Sequence, residues 1–167
     1  MLDNLLPTVK YTVELLKENG ITIATAESCT GGLLSALITS VSGASSVFEL
    51  GVTSYSSRIK SKILGVKKED LDSFGAVSRQ TAAQMAENVR LLSGSDIGVS
   101  VTGNAGPNSS EGKPVGLVYI GLATDDDITV KELNIQPISR DYVRNEACLK
   151  LLTLVSEYIN SRKEEQK

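Results

Sequence analysis

Short apolar runs of strand length alternate along this chain with stretches in which apolar residues recur every three or four positions, and this alternation constrains the fold more than any other feature. The runs are Ile21-Thr22-Ile23-Ala24-Thr25-Ala26, 47–54, 97–101 and 115–123, while 127–135 alternates as an edge strand would. A helix is expected over 3–19, where Leu2, Leu5, Leu6, Val9, Val13 and Leu16 share a face and Gly20 ends the pattern. Further helices are expected over 30–40, over 56–64 up to Gly65, from the N-cap Ser78 to about residue 92, and over 140–159, with a helical turn over 68–74. Ser42-Gly43-Ala44-Ser45 reads as a turn. Such a sequence of elements is that of a layered α/β domain with a mixed sheet. The end frays from about Ser161, which gives a domain over 1–162 and a solvated tail over 163–167.

The chain has 167 residues, enough for one domain with a real core, and 41% hydrophobic with 22% charged residues is a globular composition. A net charge of −3 and the lack of any Lys/Arg run argue against general binding of nucleic acid. No signal peptide or membrane-length apolar stretch is read, so a cytoplasmic location and no membrane partner are expected. Cys29 and Cys148 read as free thiols, and Asn108-Ser109-Ser110 as a chance match to a glycosylation acceptor. There is no histidine at all. That removes Ser-His-Asp and Cys-His catalysis and makes a catalytic zinc site a poor expectation.

Ligands of α/β sheets bind beyond the strand ends, and three segments are built for this. Glu27-Ser28-Cys29-Thr30-Gly31-Gly32 joins a strand to a helix, and its backbone N–H groups suit an oxyanion or a phosphate. Ser28 can be a nucleophile there, or Ser28 or Thr30 can simply cap the helix. Cys29 is an alternative nucleophile, since a thiol at a helix start is acidified. In Tyr55-Ser56-Ser57-Arg58-Ile59-Lys60, a helix capped by Ser56 puts Lys60 one turn in, able to reach back over the strand end. A free lysine has a pKa near 10.4, so serving as a base at neutral pH requires burial or a neighbouring cation, worth about 4 kcal/mol. Arg58, Lys62 and Arg140 are available as neighbours, and a solvated surface lysine is the plain alternative. Thr102-Gly103-Asn104-Ala105-Gly106-Pro107 follows an apolar strand and suits either a ligand loop or a connecting turn. Arg140 and Arg144 share a helix face and can hold a phosphate, or can answer Asp141 and Glu146.

These segments resemble the C-terminal amidohydrolase domain of the competence/damage-inducible CinA proteins, which is also found alone as nicotinamide mononucleotide deamidase. The resemblance rests on Thr25-Ala26-Glu27-Ser28-Cys29-Thr30-Gly31-Gly32, Ser42-Gly43-Ala44-Ser45, Gly51 with Tyr55-Ser56 and Lys60, Leu64-Gly65-Val66, Gly75-Ala76-Val77-Ser78, Thr102-Gly103 with Ala105-Gly106-Pro107, and Lys113-Pro114-Val115-Gly116. It implies a three-layer α/β/α domain, no cofactor or metal, and hydrolysis of nicotinamide mononucleotide to nicotinic acid mononucleotide and ammonia. It also implies a Ser28–Lys60 pair working through an acyl-enzyme, with Tyr55 lining the site as a third catalytic residue, Thr102 lining it too, and Arg140 near the substrate phosphate. The expected oxyanion and substrate contacts are Cys29, Thr30, Gly31, Gly32, Thr102, Gly103, Asn104, Ala105 and Gly106, with Arg140 and Arg144 for the phosphate. Asn104 stands where many members are expected to carry an apolar residue, and the larger N-terminal domain of full-length members is not in this sequence. The partner expected is a small nucleotide, and a small homo-oligomer is anticipated. The rival reading is a non-catalytic nucleotide- or phosphate-binding accessory protein linked to competence or DNA damage.

Overall fold

The computed structural model, which describes residues 5–165, pairs the apolar runs into one sheet of β1 (Ile23–Glu27), β2 (Phe48–Thr53), β3 (Ile97–Gly103), β4 (Leu117–Ala123) and β5 (Ile128–Asn134). The strand order is β2-β1-β3-β4-β5. β1 is parallel to both β2 and β3, whereas β4 and β5 run antiparallel to their neighbours, so the sheet is mixed. Helices α1 (Leu6–Glu18), α2 (Leu33–Thr39) and α6 (Arg140–Glu165) pack on one face. On the other lie α3 (Ser57–Leu64), α4 (Lys68–Phe74) and α5 (Arg79–Ser93), completing the three-layer α/β/α arrangement. Among the described residues no helix is long and apolar enough to cross a membrane.

Strand alternation sorts the core into two halves. Ile97, Val99 and Val101 of β3 join the cluster under α1, α2 and α6, while Ala24 and Ala26 of β1 meet Leu64, Met85 and Val89 on the other face. Small residues under α5 let it lie directly on the strands. Ser100 Oγ donates to the carbonyl of Ala82 at 2.6 Å. A Cβ at Gly98 would sit 2.2 Å from the carbonyl oxygen of Ala86, and one at Gly121 2.9 Å from that of Ala82. Because the obstacle is helix backbone, Gly98→Ala is expected to cost about 1–3 kcal/mol and lower the thermal midpoint by roughly 2–10 °C. A midpoint unchanged in calorimetry would show that α5 can lift off the sheet without loss.

Most element boundaries follow the caps. Ser56 and Ser78 each accept a hydrogen bond from the third residue of the helix they open, and Gly65 and Gly94 close α3 and α5 in the left-handed conformation. Three expectations need correction. The helix expected from 30 starts at Leu33, because Gly31 (φ 59°) and Gly32 (φ 95°) hold 29–32 as a turn. β4 starts at Leu117, since Gly116 (φ 91°) turns the chain. The last helix, expected to end at 159, runs on through Glu165: Arg162 stacks over the Tyr158 ring and Lys163 lies 3.9 Å from Glu18 of α1. Of the expected first helix, residues 3 and 4 lie outside the described residues, as do 166 and 167 of the tail.

Candidate active site

The register of β1 with its parallel neighbours brings the three segments together. Glu27 pairs with Thr53 on one side and Val101 on the other, so β1, β2 and β3 end at one edge of the sheet. The pairing runs one residue further, with Ser28 N donating to Val101 O at 3.0 Å and Ser54 N to Glu27 O at 2.8 Å. Ser28, the start of α3 and the loop after Thr102 therefore surround one cavity of about 370 Å³, within the usual range of ligand sites.

Lys60 sits one turn into α3, as the Ser56 cap requires, and its side chain is fully buried. Its Nζ donates to Ser28 Oγ at 2.8 Å and to the carbonyl of Ser54 at 2.6 Å. Burial lowers the amine to about 8, against smaller opposing effects of Cys29 and Glu111. Desolvation is therefore the cause, rather than the cationic neighbours Arg58, Lys62 or Arg140 considered from sequence. Cys29 also lines the cavity, yet burial pushes its thiol up to about 11. That reverses the acidification expected at a helix start and leaves Ser28 the better nucleophile.

Arg140, the first residue of α6, stands at the cavity mouth, donating to the carbonyl of Gly106 and, at 2.7 Å, to the hydroxyl of Tyr55. No carboxylate pairs with it among the described residues. Tyr55 is 64% exposed, so its hydroxyl serves the mouth and does not touch the Ser28–Lys60 pair expected to share chemistry with it. Arg144 does not join Arg140. It donates to Thr30 O at 2.8 Å and Asp141 at 3.2 Å, bracing the turn from outside the cavity.

Of the N–H groups expected to hold an oxyanion, that of Gly31 donates to Ser28 O and that of Gly32 to Glu27, so neither is free. Thr30, Gly31 and Gly32 do not line the cavity, whereas Cys29 does, and no acceptor from another residue takes its N–H among the described residues. Thr102, Gly103, Asn104, Ala105 and Gly106 all reach the cavity wall. Thr102 Oγ1 donates to Ala76 O at 2.7 Å, and the Asn104 amide donates to the carbonyls of Ser110 and Lys113, holding the loop closed. An apolar residue at 104 could not make those bonds.

Sequence reasoning missed two carboxylates. Glu111 lines the cavity, and it alone of the described non-glycine residues has a left-handed backbone (φ 55°), a sign of a constrained site. Its oxygens accept the N–H groups of Ala76 and Val77 and contact Lys113, tying 104–114 to the segment before α5. Burial pushes its carboxyl up, but those donors outweigh this and hold it below the usual range. The other is Glu27, which accepts hydrogen bonds from the start of α2. Its only signal was an acid four residues ahead of the Gly31-Gly32 pair that opens the helix.

Fold and site together define a three-layer α/β protein with a buried Ser–Lys pair at the parallel strand ends, under an arginine that pairs with no carboxylate among the described residues. Residues 7–159 match the family model of the CinA C-terminal domain. A competence-damage inducible protein of Caldanaerobacter subterraneus is 53% identical over 154 residues, covering 92% of this chain and 37% of its own length. A CinA-like protein of Kosmotoga olearia is 49% identical over 147 residues, covering 87% and 35%. Among solved structures, a competence/damage inducible protein from Agrobacterium tumefaciens superposes with a TM-score of 0.88 at 35% identity, covering 93% of this chain and 95% of that one. A CinA superfamily protein from Klebsiella pneumoniae does so with 0.91 at 26%, covering 94% and 98%. The chain belongs to the CinA C-terminal domain family. It spans little more than a third of the length of the curated relatives it matches.

Proposed function

We propose that this chain hydrolyses the carboxamide of nicotinamide mononucleotide, giving nicotinic acid mononucleotide and ammonia. The observation that carries the reading is the 2.8 Å contact of a buried Lys60 amine with Ser28 Oγ inside the cavity. A lysine held near neutrality can take the proton of the serine hydroxyl as Oγ attacks the carboxamide carbon. Apart from its own side chain, the N–H of Cys29 meets no acceptor among the described residues and would steady the oxyanion of the tetrahedral adduct. Collapse breaks the C–N bond, and the proton on Lys60 goes to the departing ammonia. Water then gives its proton to Lys60 and attacks the acyl-enzyme, releasing the carboxylic acid and restoring Ser28.

Arg140 supports a phosphorylated substrate, because among the described residues its charge at the mouth is met only by a carbonyl and a phenol. A mononucleotide can place its ring carboxamide at Ser28 and its phosphate at Arg140. The test is ammonia release by purified protein from the mononucleotide, the nucleoside and free nicotinamide. Arg140→Ala is expected to raise KM for the mononucleotide about 10- to 100-fold, the worth of a charge-assisted hydrogen bond, while leaving turnover of the nucleoside little changed. Equal losses on both substrates would remove the phosphate from Arg140. Binding of the mononucleotide with no ammonia released would favour the accessory binding protein.

A further inference from the structure

The side chain of Glu27 is fully buried, directly precedes Ser28, and is paired with no cation among the described residues. Its two oxygens accept five hydrogen bonds. Oε2 takes the N–H of Gly32 and of Leu34, each at 3.0 Å, and Thr30 Oγ1 at 2.7 Å; Oε1 takes Ser35 N at 2.9 Å and Ser35 Oγ at 2.6 Å. The open donors at the start of α2 are thereby engaged from within the chain. Neither substrate phosphate nor oxyanion has a place there, which moves both functions to other groups of the cavity.

We propose that Glu27 is the positioning residue of the nucleophile. An ordinary cap comes from the N-cap side chain itself, but the N-cap of α2 is Gly32, and the cap arrives from five residues upstream. That detour makes Glu27 hold both ends of the turn. Its backbone is fixed in β1, with its carbonyl taking Ser54 N, and its side chain grips residues 30–35. What lies between is Ser28 with Cys29 and the 3.0 Å hydrogen bond from Gly31 N to Ser28 O. Closed at both ends, the turn has little freedom to carry Ser28 Oγ away from Lys60 Nζ or to rotate the Cys29 N–H. The carboxylate touches neither the cavity nor the reacting atoms, so it acts only through the turn.

This inference rests on the Ser28–Lys60 reading and deepens it. Glu27→Gln replaces one accepting oxygen by an NH2 that must face N–H donors, and Thr30→Val removes one donor with little change of shape. The measurement is the p-nitrophenolate burst on p-nitrophenyl acetate, in which Ser28 takes the acetyl group, Lys60 takes the serine proton and p-nitrophenolate leaves. It is followed beside ammonia release from nicotinamide mononucleotide, with folded protein quantified by circular dichroism. Misplacing a nucleophile by an ångström costs about 100-fold, so Glu27→Gln should slow the burst and kcat by roughly that factor, and Thr30→Val by about 10-fold, with KM held within about 3-fold. If Glu27→Gln does not fold, Thr30→Val decides. Folded variants within about 3-fold of the unchanged protein overturn the proposal, as does a loss proportional to the unfolded fraction or one carried mainly by KM. A burst slowed in the variants without any ammonia keeps Glu27 and overturns the substrate. Ammonia released equally by all keeps the substrate and overturns Glu27. With neither burst nor ammonia, Ser28 is no nucleophile and both fall.

Discussion

Ser28→Ala is expected to abolish ammonia release, lowering kcat by about 10³- to 10⁶-fold, while the protein keeps its fold and still binds the nucleotide. The loss is large because no other group can take over the attack. Cys29 is next in the chain and lines the same cavity, but a thiol held at about 11 by burial has almost no thiolate at neutral pH. The Lys60 amine touches Ser28 Oγ and Ser54 O, so removing the hydroxyl leaves it facing the cavity with one partner. Cys29→Ala should retain turnover within about 10-fold, since it trades one small buried side chain for another. Parallel assays of both variants, with bound nucleotide measured by calorimetry, check the result. Loss confined to Cys29→Ala would move the nucleophile by one residue.

The reading from sequence succeeded where local rules decide. Ser56 and Ser78 cap their helices, and the alternating 127–135 segment lies at the sheet edge as β5. One turn from Ser56 to Lys60 was enough to aim the lysine at a strand end. What brings Ser28, Lys60 and Thr102 into one cavity is different in kind, because it depends on β1 lying between two parallel partners in register. No single stretch carries that information; only the resemblance suggested it. Features set by burial were also out of reach: the raised thiol of Cys29, the choice of burial over a neighbouring cation as what lowers the Lys60 amine, and the turning of Arg144 toward Thr30 rather than the cavity. Glu27 and Glu111 escaped for a related reason, since each accepts backbone N–H groups that become available only when the chain has folded.

Lys60 makes both activity and stability rise with pH, over windows that one variant can separate. The amine must be neutral to act, and burial sets it at about 8, so activity should climb with pH along a limb centred near 8 and level off above it. A limb near 10 would mean that Lys60 is not desolvated in the working enzyme. Stability follows the same titration. In the unfolded chain the amine titrates near 10.5, so between about 8 and 10.5 the unfolded state binds more protons and stability rises with pH. Below 8 the lowered amine opposes folding by about 3 kcal/mol, a cost that fades as pH rises from about 8 to 10.5. Lys60→Met removes that cost and also leaves the carbonyl of Ser54 without its donor, worth about 1–3 kcal/mol, beside a Ser54 hydroxyl that already has no partner among the described residues. The two effects nearly offset at pH 7, so the absolute midpoint says little and its pH dependence decides. Unfolding of both proteins by urea from pH 7 to 10 should show the unmodified protein gaining stability on Lys60→Met by up to about 1.4 kcal/mol per pH unit above 8, while the variant has no ammonia release at any pH. Parallel curves would mean that Lys60 carries no buried charge in the folded protein, and the base of the proposed reaction would have to be sought elsewhere.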